Sequence, residues 1–257
     1  MGPCFFLAVL VFIFNLVTLP LAQARVFNLK NEKLAAYFLV NAGTSKIKQA
    51  AFENESATTT TYGSQVNSNL LGEFGFFYTS GVVGFRFGFE ILHPLQLNDV
   101  QAQDASGSTL YTFSSDLTGY APKLGLDINL FTSGRWRFFA FGSYSSMSMT
   151  MSNQYVMSSA GTAAFPSVSD HSVEAKGSGS EMSYGAGVET TFTDTTTVFL
   201  EGGYRNLKIN GLTYSKAVTT FTGAQDAGAE VLDVSGNKRV LDFTGFYASL
   251  GFRFYIK

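Results

Sequence analysis

After residue 24 the chain is written with a period of two, and this period limits its possible folds more than any other feature. In the last segment Phe246, Ala248, Leu250, Phe252, Phe254 and Ile256 share one face, while Tyr247, Ser249, Gly251, Arg253 and Tyr255 share the other. Val83, Phe85, Phe87, Phe89 and Ile91 alternate with Gly84, Arg86, Gly88 and Glu90. Leu124, Leu126, Ile128 and Leu130 alternate with Lys123, Gly125, Asp127 and Asn129, and Tyr184, Ala186, Val188 and Phe192 oppose Ser183, Gly185, Gly187 and Glu189. Successive side chains of a strand point to opposite faces, so each run is a strand between two unlike surroundings. One face is apolar; the other is glycine and charge.

Read this way, the chain predicts eight strands, over 33–42, 68–78, 82–92, 118–131, 135–149, 181–193, 197–209 and 240–256. Strand 1 alternates least cleanly, because Ala35, Tyr37 and Leu39 blunt it. Strand 5 is ambiguous in face, since Phe138 and Phe139 are adjacent and a bulge there would change which side each takes. Thr79-Ser80-Gly81, Thr132-Ser133-Gly134 and Asp194-Thr195-Thr196 are hairpin-length turns. They alternate with four long polar segments, 43–66, 94–117, 151–180 and 210–239. Strict alternation puts every long segment at one end of the sheet and every short turn at the other.

Composition narrows the surroundings. Charged residues make up 14% of the chain and aromatics 15%, which excludes a disordered chain. A net charge of -2 argues against nucleic-acid binding. A single cysteine, Cys4, excludes a disulfide framework or a cysteine-based zinc cluster. Residues 1–24 differ from the rest: Phe5 to Leu19 is apolar apart from Asn15 and Thr18, too short to span a bilayer. Ala22 and Ala24 fit a signal-peptide cleavage pattern, giving a mature barrel domain over 25–257 that begins at Arg25.

Alternation alone leaves open whether the aromatic face points into a soluble, lipocalin-like barrel or out of a membrane barrel. An eight-stranded barrel has an interior just wide enough for side chains, which suits Gly, Ser and paired charges better than rows of Phe and Leu. Gly84, Gly88, Gly125, Gly185, Gly187 and Gly251 would make a poor solvated surface. Closure is also required in hydrocarbon, where an open sheet edge cannot be hydrated. The expectation is an all-β, eight-stranded antiparallel up-and-down transmembrane barrel, with short periplasmic turns and long extracellular loops.

The C-terminal run Ser249-Leu250-Gly251-Phe252-Arg253-Phe254-Tyr255-Ile256 resembles the closing-strand signal of outer-membrane barrels, with Ser249, Gly251, Phe254 and Ile256 at the signal positions. With the strand and loop layout, residues 33–257 resemble the small eight-stranded bacterial outer-membrane barrels, the family of the outer-membrane protein A transmembrane domain and protein X. The family usually ends in Phe, whereas this chain ends Ile256-Lys257. The resemblance implies an integral protein of a Gram-negative outer membrane, monomeric, in contact with outer-membrane lipid and lipopolysaccharide and inserted by the assembly machinery. A second departure is that nothing follows strand 8 in this sequence, so the peptidoglycan-binding domain of full-length outer-membrane protein A is expected to be absent.

Candidate chemistry lies on the inward face, at Glu73, Arg86, Glu90, Lys123, Asp127, Glu189, Glu201, Arg205 and Arg253. Ionisable groups inside a membrane structure are costly and should pair with one another. The expected role is structural or surface-interacting, with an occluded, ion-paired lumen. The alternatives are a narrow, porin-like ion channel gated by those pairs and, less favoured, an enzyme acting on lipid A. His93 lies at the end of strand 3, and Asp170-His171-Ser172 is a triplet in a long segment; adjacent residues rarely converge on one atom, so no catalytic role is assigned. No cofactor or metal is expected. Val66, Leu110, Tyr111, Phe113, Tyr155, Val156, Phe165 and Phe221 are apolar residues in or beside the long segments, available to extend hairpins or meet an unknown extracellular ligand. Trp136, two residues past a short turn, is expected at the inner membrane interface, pointing to lipid.

Overall fold

The computed structural model describes residues 27–44, 61–62, 68–94, 97–233 and 235–256. The expected signal peptide, the Arg25 terminus, Val66 and most of segment 43–66 lie outside these residues. Eight strands form the ring: β1 Leu34–Thr44, β2 Ser68–Thr79, β3 Val83–Pro94, β4 Thr109–Thr132, β5 Trp136–Met157, β6 Ser172–Thr191, β7 Thr196–Tyr214 and β8 Gly245–Tyr255. Each pairs antiparallel with its neighbours in sequence, and β1 pairs with β8 from Ala35↔Tyr255 to Gly43↔Tyr247, which closes the ring. Closure leaves no unpaired edge around the waist.

The outward face of the waist is apolar on all sides. Phe38, Phe74, Phe87, Leu124, Phe138, Tyr184, Leu200 and Leu250 are all exposed, one from each strand. A band of this kind has no stable place in water and is the outer wall of a membrane barrel. Inward, the same strands bury Glu73, Arg86, Lys123, Asp127, Glu189, Glu201, Arg205 and Arg253. Of the closing-strand signal, Phe254 in β8 and Ile256 just past its end are exposed on the outside, and Ser249 and Gly251 point inward.

Two expectations from sequence need correction, and one point left open is resolved. The first concerns strand length. Strands β4 to β7 run 24, 22, 20 and 19 residues, far past the band, while β1, β2, β3 and β8 stop near its edge. Much of 94–117, 151–180 and 210–239 is therefore strand. A further strand, Leu97–Gln103, pairs with β4, and Leu241–Asp242 pairs with β7. The cause is a reversal of surroundings. In β5 the even positions Trp136, Phe138 and Tyr144 face out, as do Ser146, Ser148 and Gln154 above them, while Met147, Met149 and Met151 point in. Below Tyr144 the outside is oily and the inside mixes charge with rings, as at Arg137, Phe139 and Phe141; above it the outside is polar and the inside is lined by methionine.

The second correction concerns the lumen, which does hold Phe77, Phe139, Phe141 and Phe199. Inward glycines make the room. Phe139 lies opposite Gly187, Phe141 opposite Gly185 and Phe199 opposite Gly251, and in each pair the ring covers the space a glycine Cβ would fill. The inward glycines, expected only to suit a narrow interior, form slots for rings. The point left open concerns strand 5, which alternates without interruption: Phe138 is out and Phe139 in. The irregularity lies across from it on β4, between Asn129 and Phe131, so Leu130 and Phe131 both face outward.

Candidate functional site

The lumen is a stack of layers, each set by which strand position points inward. At the end with the short turns, residues 27–33 cross beneath the ring. Leu29 is buried there; its N–H donates to the Gly134 carbonyl at 3.2 Å, and its carbonyl accepts from Arg137 Nη2 at 3.1 Å. Phe27 meets Tyr255 edge-on, with ring centroids 5.5 Å apart.

Above this strap runs a continuous chain of ion pairs. Arg137 Nη1 lies 3.0 Å from Glu189 Oε2, and Arg253 Nη1 lies 2.6 Å from the same oxygen. Arg253 Nη2 reaches Asp127 at 3.0 Å, Arg86 Nε reaches Asp127 at 2.8 Å, and Arg86 Nη2 reaches Glu201 at 2.5 Å. The second oxygen of Glu189 accepts from Thr197 Oγ1 at 2.6 Å and Tyr255 OH at 2.8 Å. Rings cover the guanidinium faces: Arg253 sits 3.8 Å from the Phe77 centroid and 4.7 Å from that of Phe199. Aromatic faces are negative, so buried arginine gains a further partner where it cannot be hydrated.

One level higher, Lys123 Nζ is held by Glu90 at 2.6 Å, Glu73 at 3.1 Å and Glu181 at 3.5 Å. Tyr37 OH donates to Glu73 Oε1 at 2.6 Å. Between the two networks, beside Asn41, Ser249 and Tyr247, lies a void of about 10 Å³, enough for a single water. Above them the lumen turns apolar, with Leu71, Leu92, Met147, Met149, Leu207 and Ile209 buried inside. Gly119 leaves space that the Met147 Sδ and Met149 Cε atoms fill. At the top, Tyr111, Phe113, Tyr155, Phe165 and Phe221 join ring to ring, with Tyr111 stacked on Phe221 at 4.8 Å.

All nine lumen residues expected from sequence lie inside the ring, and eight of them join the two networks. Arg205 is the exception: it is buried, but its Nη2 donates to Asn69 Oδ1 and not to a carboxylate. Arg137, Glu181, Tyr37 and Tyr255 were not among them. Glu181 was missed because it sits at the expected start of strand 6, yet it shares inward parity with Ser183 and Glu189. Of the apolar loop residues, Leu110, Tyr111, Phe113 and Tyr155 are buried in the cap, Phe165 and Phe221 pack against it, and Val156 is 69% exposed. The Asp170-His171-Ser172 triplet does not form a unit: Asp170 Oδ2 accepts the Thr219 N–H at 2.6 Å and braces a loop.

A closed ring with an oily waist and a charged, filled interior settles the architecture. It is a membrane-spanning β-barrel. No protein-family model matches the chain, and no curated protein does. Among solved structures it is similar to the outer membrane protein OprG from Pseudomonas aeruginosa, at 11% identity, covering 90% of this chain and 99% of that one with a TM-score of 0.39. It is similar also to Ail, the attachment invasion locus protein of Yersinia pestis, in complex with sucrose octasulfate, at 9% identity, 88% and 99% coverage and a TM-score of 0.41. A third is the outer membrane protease OmpT from Escherichia coli, at 9% identity, 91% and 100% coverage and a TM-score of 0.40. At such identities and scores these likenesses transfer no residue role to this barrel.

Proposed function

We propose that this barrel is an integral protein of a bacterial outer membrane whose lumen is sealed and whose work is done by the part that rises from the membrane. The observation that carries the reading is the filling of the lumen by the described residues: strap, ion-pair chain, Lys123 cluster, Leu and Met layer, and aromatic cap follow one another, with voids of about 10 and 20 Å³ among them. Moving an ion past Met147, Met149 and Ile209 would mean stripping its water among buried apolar side chains. The role proposed is structural or surface-interacting in preference to porin-like. Lipid and the outer-membrane assembly machinery are its immediate partners, the latter reading the closing strand through the outward Phe254 and Ile256. The long-strand end faces outward from the cell, and the strap and short turns face the periplasm.

Conductance tests the sealed lumen. Barrel reconstituted into planar bilayers should give a flat current trace across the usual range of voltages. Discrete, reproducible single-channel steps from folded protein would replace this reading with that of a narrow channel.

A further inference from the structure

Above the Lys123 cluster the inward column of β5 reads Met147, Met149, Met151, three thioethers at successive inward positions, none more than 3% exposed. Their neighbours across the sheet are small. Met149 lies between Gly119 on β4 and Gly177 on β6, Met147 lies opposite Gly179, and Met151 lies opposite Ala175. The atoms nearest to where a Gly119 Cβ would stand are Met147 Sδ at 2.8 Å and Met149 Cε at 2.9 Å, so the two side chains meet in the space this glycine leaves. Methionine is unbranched and turns about three bonds, and small neighbours leave its sulfur free to aim. Beside Met151 lies a void of about 20 Å³, bordered also by Asn153, Tyr155, Tyr214, Thr220 and Phe221. We propose that Met147, Met149 and Met151 form a binding site for a soft monovalent cation of the copper(I) or silver(I) class.

Sulfur selects the class of ion. Thioethers bind soft cations, whereas magnesium and calcium take oxygen ligands. Charge selects the valence. Glu73, Glu90 and Glu181 all reach Lys123, and Arg205 is the second cation close enough to act on Glu90 and Glu181. Three carboxylates therefore share two positive charges. Glu90 pairs with Ala121, which sits between the Tyr120↔Ser148 and Lys123↔Ser145 pairs, at the height of Met147. Its Oε1 is buried without a hydrogen-bond partner among the described residues. A single positive charge beside Met147 supplies what this level lacks, and buried charges are stable only when paired. A hard ion finds nothing here to replace its lost water, whereas sulfur lone pairs take the place of water around a soft one. The cation is held and not passed, because the ion-pair chain fills the lumen beneath it.

Silver(I) tests the site, because it stays monovalent and needs no reductant. The barrel is refolded into chloride-free detergent with silver nitrate present, so that access to the interior is not limiting. It is then exchanged into silver-free buffer and weighed by native mass spectrometry. Wild type should retain one silver ion, and excess sodium or magnesium nitrate should not displace it. The triple variant Met147→Leu, Met149→Leu, Met151→Leu conserves side-chain volume, so it should keep the heat-modifiable migration of a folded barrel while retaining no silver. Glu90→Gln should weaken binding by about tenfold, the low end for loss of a group that supports a bound metal. Met182→Leu, which removes a thioether exposed on the outer wall, should bind as wild type does. With carbon-13 at the methionine methyls, silver should shift the Met147 and Met149 resonances and leave that of Met182 in place. These shifts decide the matter if the triple variant fails to fold. Wild type that retains no silver would assign the missing charge to a proton on the carboxylates and overturn the site. Displacement by sodium or magnesium, a folded triple variant that binds as tightly as wild type, or a shift at Met182 alone would overturn it as well.

Discussion

At the scale of single residues, the interior replaces an oily core with paired charges seated between rings. Arg253 bridges Asp127 and Glu189 while lying against Phe77, so its removal leaves two buried carboxylates short of a partner. Arg253→Ala should cost about 3 kcal/mol in urea unfolding from lipid vesicles, the low end for a broken buried pair, because Arg86 and Arg137 remain as partners. The exposed Lys238–Glu230 pair at 2.6 Å is the contrast: Lys238→Ala should cost no more than about 1 kcal/mol. Glycine is tested in the same way. A Cβ at Gly187 would run into the Phe139 ring, and Gly187→Ala should destabilise by about 1–3 kcal/mol through overpacking. At Gly142 the nearest atom to such a Cβ is the Ser183 carbonyl oxygen at 4.0 Å, so Gly142→Ala should fall within about 0.5 kcal/mol of wild type. Equal losses at the two glycines would remove the slot account.

At the scale of the strand, β5 crosses two environments, and its sidedness should be visible to labelling. Apart from Cys4 the chain has no cysteine, so introduced thiols report cleanly. Ser148→Cys should react with a charged, membrane-impermeant maleimide on intact cells, whereas Met149→Cys, one residue on but buried, should not. Reaction at both would mean that the upper part of β5 is not a strand packed over a core. The same strand explains what sequence reading reached. The waist was legible because hydrocarbon outside and charge inside give strong alternation, as in Phe85, Arg86 and Phe87. The extension beyond residue 149 hid because its polarity is reversed: Thr150, Ser152 and Gln154 beside Met151, Asn153 and Tyr155 read as a mixed, loop-like segment to a search for aromatic outer faces. The inward rings hid for a related reason. Phe139 beside Phe138 breaks the pattern unless its partner across the sheet is known to be Gly187, and pairing is not written in one strand. The lumen charges were legible as a set, but their pairing was not, since Arg137, Asp127 and Arg253 come from β5, β4 and β8.

At the scale of the whole molecule, a sealed waist carries a one-sided wall. The seals are independent, so opening one should not open the barrel. Leu29→Asp should loosen the strap from Gly134 and Arg137, yet leave planar-bilayer current flat, because the Leu and Met layer remains. All of this requires that the apolar waist face lipid and not a protein core, and Trp136 tests that most directly. It is 47% exposed, points outward beside Phe138 with ring centroids 6.4 Å apart, and follows the turn that ends the waist. As the single tryptophan, it gives an unmixed signal. In reconstituted vesicles its emission should be blue-shifted and quenched by brominated lipid, more strongly by labels near the headgroups than by labels at the bilayer centre, as for an indole in an interfacial girdle. Emission indifferent to brominated lipid at every depth, in folded and inserted protein, would contradict the account.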